Sequence, residues 1–217
     1  MASLEKTAEM MQMQLKDCEI ASKNASYMSV VSKSYALYQE DRNRTAFKNS
    51  IEDFLKKQYG YNDNCKAALL VLLEEADSYY YALNNSNDGT YQDIKFFRDT
   101  ARERILEVAG TLDTATALVG VEDRIYMVRN LVTAKFVPYA VLSLELDKES
   151  LMKSYNGIWG YVDASLYRDG ELMAQGTKEA PERLPARIVQ MLKEKNAVFE
   201  HCRGAYSYVY RKIEAYG

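Results

Sequence analysis

The chain has 217 residues, 47% of them hydrophobic and 27% charged, which is ample for a sizeable core and argues against disorder. Its net charge of -3 offers no broad basic field, so nucleic acid is not expected as a partner. The longest apolar run, Ala67 to Leu73, falls far short of the roughly 20 residues that cross a bilayer, and Met1 to Ile20 lacks the continuous apolar stretch of a secretion signal. The sequence as it stands reads as a soluble domain, with any membrane link expected only through spans that lie outside it.

Residues 1 to 57 hold no Gly and no Pro and are rich in Ala, Glu, Gln, Lys, Leu and Met, the good helix formers. Leu4, Ala8, Met11, Leu15 and Cys18 recur at alternating spacings of four and three, the a/d seam of a short coiled coil. Beyond Ala25 the stripe broadens through Tyr27, Met28, Val31, Tyr35 and Tyr38, as in a helix packed against a globular body. Asp41 to Thr45 marks a bend, after which Phe47, Ile51, Phe54 and Leu55 continue as a second amphipathic helix. The period changes after the turn at Gly60 to Asn64: Ala67 to Leu73 and Ser78 to Leu83 read as a hairpin of strands.

Thr90 and Asp93 form a capping pair that opens a helix through Ile94, Phe97, Ala101, Ile105 and Val108, ending at Gly110. Thr114 to Val119, Arg124 to Thr133 and Tyr139 to Leu146 read as three further strands. A shorter unit follows, with a hairpin from Trp159 to Leu166 and Glu171 to Gln175 around a turn at Arg168 to Gly170. Pro185 to Lys195 then reads as a helix and Ala205 to Ile213 as a strand. The resulting fold class is α+β: a long N-terminal helix packed on an antiparallel sheet, then a smaller α/β unit.

Catalytic machinery is hard to assemble from these residues. The single histidine, His201, is followed by Cys202, and adjacent strand residues point to opposite faces. Three scattered cysteines, Cys18, Cys65 and Cys202, suit neither a zinc site nor a disulfide framework, although Cys65 and Cys202 are a conceivable pair in an oxidising compartment. Glu74-Glu75 and Glu122-Asp123 read as solvated turn charges. No phosphate loop, dinucleotide fingerprint or calcium loop is visible, and neither a metal nor a cofactor is expected.

Tyrosine is the distinctive resource, 18 in all, concentrated in the inferred strands. Its apolar face and hydroxyl suit a pocket for a small polar molecule, and equally a plain β core. The candidate ligand-binding residues are Tyr79, Tyr81, Phe97, Tyr126, Arg129 and Tyr139. Arg129 lies in an apolar strand, where it either presents its planar fork to a ligand carboxylate or faces solvent. Alternation puts Ile125, Met127, Arg129 and Leu131 on one face and Tyr126 on the other.

The stretch from Asp123 to Val132 (DRIYMVRNLV), followed by Phe136 to Lys148 (FVPYAVLSLELDK), resembles the last strands of Cache-type, PAS-like sensor domains that precede bacterial histidine kinases, chemoreceptors and membrane-bound AraC-type regulators. The resemblance implies a helical stalk and second helix over 1–59, a membrane-distal PAS-like subdomain over 60–150 that binds a small polar or carboxylate metabolite, and a smaller membrane-proximal unit over 151–217, here short enough to read as truncated. It further implies an extracytoplasmic location, a receptor anchored by spans absent from this chain, and a homodimer through the N-terminal helix. Amino-acid-binding members carry Arg-x-Trp-Tyr after the hairpin, where this chain has Phe96-Phe97-Arg98-Asp99. Its only tryptophan, Trp159, falls in the second unit, which weighs against a free amino acid as ligand. The competing reading is a helical dimerisation or scaffold module with no small-molecule ligand.

Overall fold

The computed structural model describes residues 2–75, 77–86, 88–151, 165–175, 181–195, 197–201 and 207–212. The stretch before Gly60 forms three helices, α1 (Ala2–Tyr27), α2 (Ser29–Asp41) and α3 (Arg44–Tyr59). The bend foreseen after Asp41 is present. Arg42 turns left-handed at φ 53°, and the Asn43 side chain caps α3 by accepting from the Ala46 amide, satisfying one of the orphan donors of the first turn. The break at Met28, where ψ is 119°, carries no Gly or Pro and was not foreseen.

Strands β1 (Cys65–Leu72), β2 (Tyr79–Leu83), β3 (Thr116–Val121), β4 (Arg124–Val132) and β5 (Pro138–Leu146) form one sheet in the order β2-β1-β5-β4-β3. Every neighbouring pair is antiparallel. Helices α1 to α3 cover one face. The other is covered by α4 (Tyr91–Phe96), a π turn (Phe97–Ala101) and α5 (Arg102–Ala109).

Alternation along each strand therefore fills two cores. Leu70, Ile125, Met127, Leu131, Leu142 and Leu144 meet the N-terminal helices; Leu69, Val71, Tyr126, Val128 and Val141 meet Ile94, Phe97, Ala101 and Ile105. Burial on both faces explains why β1, β4 and β5 read as almost continuous apolar runs. Gly89 is required by close packing: a Cβ there would lie 2.3 Å from the Lys66 carbonyl oxygen.

The coiled-coil seam is corrected by this packing. Met11, Leu15 and Cys18 are buried in the core shared with the sheet, so those three seam residues are taken up by the chain's own sheet and are not available to a symmetry mate. The side chain of Leu4 lies outside the described residues. A 4-3 repeat marks any helix with one buried stripe, and a run of about three heptads does not separate the two cases.

The smaller unit begins with β6 (Ser165–Arg168) and β7 (Glu171–Gln175), joined through Asp169 at φ 51° and Gly170 at φ 85°. Two consecutive positive φ values are the signature of a type I′ hairpin turn. α6 (Ala186–Glu194), β8 (Ala197–His201) and β9 (Ser207–Arg211) follow. β8, which includes His201, was not foreseen, and β9 falls inside the stretch read as a strand. Trp159, Cys202 and residues 159–164 of the expected strand lie outside the described residues. Leu184, Ile188 and Val198 form a small core of their own. Met173 joins the larger core, and Arg168 donates through Nη1 to the Leu118 carbonyl, tying the unit to the main sheet.

Candidate functional site

α4 starts at Thr90, whose backbone N–H donates to Asp93 Oδ2 at 2.7 Å in a capping box. The second carboxylate oxygen, Oδ1, accepts from Arg124 Nη1 at 2.7 Å, so the residue read as a cap also anchors the first residue of β4. The same Nη1 donates to Glu145 Oε1, again at 2.7 Å. Glu145 projects from β5 and is only 2% exposed, with its other oxygen 3.4 Å from the Tyr126 hydroxyl that donates to it. The Arg124 guanidinium lies over the Phe96 ring, 4.2 Å from its centroid, a desolvated cation-π geometry.

One cation thus serves two carboxylates. Burial pushes the Glu145 carboxyl up to about 7, with Asp93 adding to the rise and Arg124 opposing it. Burial also acts to raise Asp93, but the Thr90 amide and Arg124 outweigh it and hold that carboxyl below its ordinary value. The Tyr126 hydroxyl is pushed well up by burial and by the adjacent Glu145. Unequal environments thereby separate two carboxylates that share a partner.

Arg124 also faces a shallow cleft of about 280 Å³ lined with Gln92, Lys95, Phe96, Asp99 and Thr100. Asp99 is held by the neighbouring Arg98, whose Nε donates to it at 2.6 Å. The lining presents two cations, the Arg98-paired carboxylate of Asp99, an amide, a hydroxyl and a flat aromatic surface. That set suits a small molecule with a carboxylate and a short apolar part.

The six residues proposed from sequence divide between the two faces of the sheet. Tyr79, Tyr81, Phe97 and Tyr126 come together on the α4–α5 side, with ring centroids 6.4 Å apart for Tyr79–Tyr81, 6.2 Å for Tyr79–Phe97 and 6.3 Å for Phe97–Tyr126. They form the layer beneath the turn that carries Phe96. Arg129 and Tyr139 lie on the opposite face. Arg129 is buried against α1, donating from Nη1 to Thr116 Oγ1 at 3.0 Å and from Nε to Ser26 Oγ at 3.2 Å. Neither of its two foreseen environments, an open ligand pocket or solvent, is found. It sits at the last turn of α1, where the negative end of the helix dipole favours a cation. Tyr139 stacks on Tyr35 at 4.4 Å and 19°.

From the sequence Asp93 was read only as a helix cap, and Arg124, Glu145 and Lys95 were not singled out. A signal for Glu145 was nonetheless present, because alternation along β5 places it with Val141 on a core-facing side, and a charge on a buried face demands a partner. Among the described residues no group of His, Cys, Asp or Glu is arranged to hold a metal, and no helix is long and apolar enough to cross a membrane.

No protein-family model and no curated protein matches the sequence. Solved structures do. The sensory domain of the Campylobacter jejuni chemoreceptor Tlp3 superposes with a TM-score of 0.52 at 16% identity, over 97% of this chain and 88% of that one. The ligand-binding domain of the same receptor in complex with L-norvaline gives 0.50 at 15% identity, over 97% and 85%. The periplasmic domain of Vibrio cholerae LuxQ gives 0.43 at 14% identity, over 89% and 87%. At these identities the likeness to Tlp3 is one of fold: a long N-terminal helix packed on an antiparallel sheet, followed by a smaller α/β unit.

Proposed function

We propose that the chain is the extracytoplasmic sensing domain of a bacterial transmembrane receptor of the Cache type, and that it binds a small carboxylate in the cleft between α4 and the start of β4. The observation that carries this reading is the Asp93–Arg124–Glu145 cluster, whose buried carboxylates hold an Arg124 that faces that cleft together with Lys95. The fold likeness to the Tlp3 sensory domain supports it, and L-norvaline, found with the ligand-binding domain of that receptor, carries a carboxylate. In this reading residues 60–150 are the membrane-distal sensor, 151–217 the proximal unit and 1–59 the helical connection.

Arg124 and Lys95 hold the ligand carboxylate and Phe96 covers its apolar part, while Tyr79, Tyr81, Phe97 and Tyr126 pack in the core on the same side of the sheet, outside the cleft lining. Arg129 and Tyr139 instead join α1 and α2 to the sheet. A second copy meets the outward face of α1, where Met13, Ile20 and Tyr27 recur every seven residues and are 65%, 49% and 78% exposed; that spacing is the repeat of a helix pair. A ligand shifts such a receptor only through unequal affinity for its two states.

A thermal-shift screen of small carboxylates, L-norvaline among them, against their uncharged amides tests the site. A hundredfold excess over Kd adds roughly 2.7 kcal/mol, or about 5–10 °C for a chain of this size. The shift should require the carboxylate and disappear in Arg124→Met and in Lys95→Met. Retention of the shift in both variants would move the site away from this cleft, and no shift across the panel would turn the reading towards the scaffold alternative.

A further inference from the structure

We propose that Asn43, in the bend between α2 and α3, is an acceptor for N-linked glycosylation. Three asparagines stand two residues before a hydroxyl with no proline between: Asn24 before Ser26, Asn43 before Thr45 and Asn84 before Ser86. That is the acceptor pattern of the modification, and the structure separates the three. Asn84 is 2% exposed, and its Nδ2, the atom that would take the sugar, donates to the Tyr59 carbonyl at 3.2 Å and to the Asn62 carbonyl at 2.5 Å. Asn24 lies half-buried inside α1, and its hydroxyl partner Ser26 accepts from Arg129 Nε at 3.2 Å.

Asn43 differs in each respect. Every residue from Asp41 to Ala46 is exposed. Asn43 Oδ1 caps α3 by accepting from the Ala46 amide at 3.0 Å, and among the described residues nothing accepts from its Nδ2. A bulky group on Nδ2 therefore leaves the cap acceptor in place and meets solvent. Asp41, two positions earlier, is the acidic residue that completes the longer acceptor of bacterial oligosaccharyltransferases, and its Oδ1 accepts from the Asn43 amide at 2.8 Å. Arg42 between them is held left-handed at φ 53°, a strained conformation for arginine. Opening the bend into an enzyme's groove relieves that strain and gives up one helix cap.

The donor is an oligosaccharide joined through its anomeric carbon to a polyprenyl diphosphate. Asn43 Nδ2 attacks that carbon, the bond from the carbon to the diphosphate oxygen breaks, and the polyprenyl diphosphate leaves with the electron pair. One Nδ2 proton passes to a base of the transferase, and nothing is oxidised or reduced. The bend lies beside the turn from β1 to β2, where Arg44 Nη2 donates to Ser78 Oγ and the Tyr38 hydroxyl to Glu75. The cleft is on the other face of the sheet, at the end where Ala67 of β1 meets Glu145, so a glycan on Asn43 leaves it open.

The acceptor stands on the exposed bend; that it is modified in cells rests on the extracytoplasmic reading, because such transferases act outside the inner membrane. Folded full chain is incubated with a solubilised bacterial oligosaccharyltransferase and a polyprenyl-diphosphate-linked oligosaccharide, a pair first shown to modify a short acceptor peptide. The product is weighed intact and after cleavage behind glutamate, which releases residues 41–52 between Glu40 and Glu52. The chain should gain the mass of one oligosaccharide, carried on that peptide. The gain should be lost in Asn43→Asp, which keeps a good helix cap, and in Thr45→Val and Asp41→Asn. An unmodified chain, or a glycan on Asn24 or Asn84 with Asn43 bare, would overturn the site. The full-length receptor is then made in a bacterium that carries the same transferase and donor. The same glycopeptide from those cells upholds both claims, whereas unmodified receptor there, after modification of the purified chain, overturns the location and leaves the acceptor standing.

Discussion

Replacing Glu145 by Gln is expected to stabilise the protein at pH 8 and to leave it almost unchanged at pH 5. The folded carboxyl titrates at about 7, above its ordinary 4.5, so between those values the folded chain holds a proton that the unfolded chain has released. Stability then falls as pH rises, since the slope follows protons bound unfolded minus protons bound folded. The contribution is whole below about pH 4.5 and gone above about pH 7. At 1.36 kcal/mol per pH unit the loss amounts to ~3 kcal/mol. Gln keeps the shape, and its amide oxygen still accepts from Arg124 Nη1, but no charge is buried. Asp93 acts in the opposite sense: its carboxyl is held low, so its contribution is lost only as pH falls through that low value, outside the window. For a chain of this size 1 kcal/mol moves Tm by about 2–4 °C. Melting curves from pH 5 to pH 8 should therefore show the variant drawing ahead of the parent by about 5–10 °C. Two parallel curves would refute the burial argument, and a variant less stable than the parent at pH 8 would show that the ion pair with Arg124 outweighs desolvation.

Gly89→Ala should cost about 1–3 kcal/mol, because the new Cβ meets backbone atoms, Lys66 O at 2.3 Å and Asn84 N at 3.0 Å; an unchanged urea midpoint would show that this turn shifts freely. In the receptor reading proposed above, Ile20→Cys in the full-length, membrane-anchored protein should give a cross-linked dimer under mild oxidation, since position 20 lies on the outward face of α1. Ready capture of a dimer through Cys18 would instead mean that α1 leaves the sheet.

The fold was legible because its strands are bounded by turn residues and its helices by caps. Gly60 to Asn64, Thr90 with Asp93, Gly110 and the Asp169-Gly170 turn all act through local backbone chemistry, which a sequence displays directly. The parity argument in β4 also held, with Tyr126 and Arg129 on opposite faces, because a strand alternates strictly. Partners are less legible. Whether the stripe at Met11, Leu15 and Cys18 faces a second chain or the chain's own sheet depends on tertiary placement. Likewise Asp93, Arg124 and Glu145 are 21 or more residues apart in sequence, and their meeting is set by the register of β4 against β5 together with the seat of α4. The break at Met28 lies where the Arg129 side chain reaches Ser26, again a tertiary coincidence without a local mark.

The two arginines of β4, one buried and one half-buried, sit in different environments. Arg129 donates to the hydroxyls of Ser26 and Thr116 at the end of a long helix. That environment tolerates a cation at moderate cost and uses it to join α1 to the sheet. Arg124 is set between two carboxylates, one of them almost completely buried, an arrangement with one negative charge in excess. Desolvating such a cluster costs several kcal/mol per ion before attraction offsets it, and well-packed apolar residues would serve stability as well or better. Packing therefore gives no account of why this cluster lies there. In the reading proposed above it lies at the mouth of a cleft lined by Lys95, Gln92 and Thr100, where protonation of Glu145 leaves Arg124 paired with Asp93 alone and able to take a further carboxylate. A carboxylate arriving at Arg124 competes with Glu145 for the same cation, and the proton that Glu145 takes up near pH 7 relieves that competition. Binding at this cleft should accordingly strengthen as pH falls through about 7, whereas a site built on an unshared arginine should show no change there, because neither a guanidinium nor a ligand carboxylate titrates near 7.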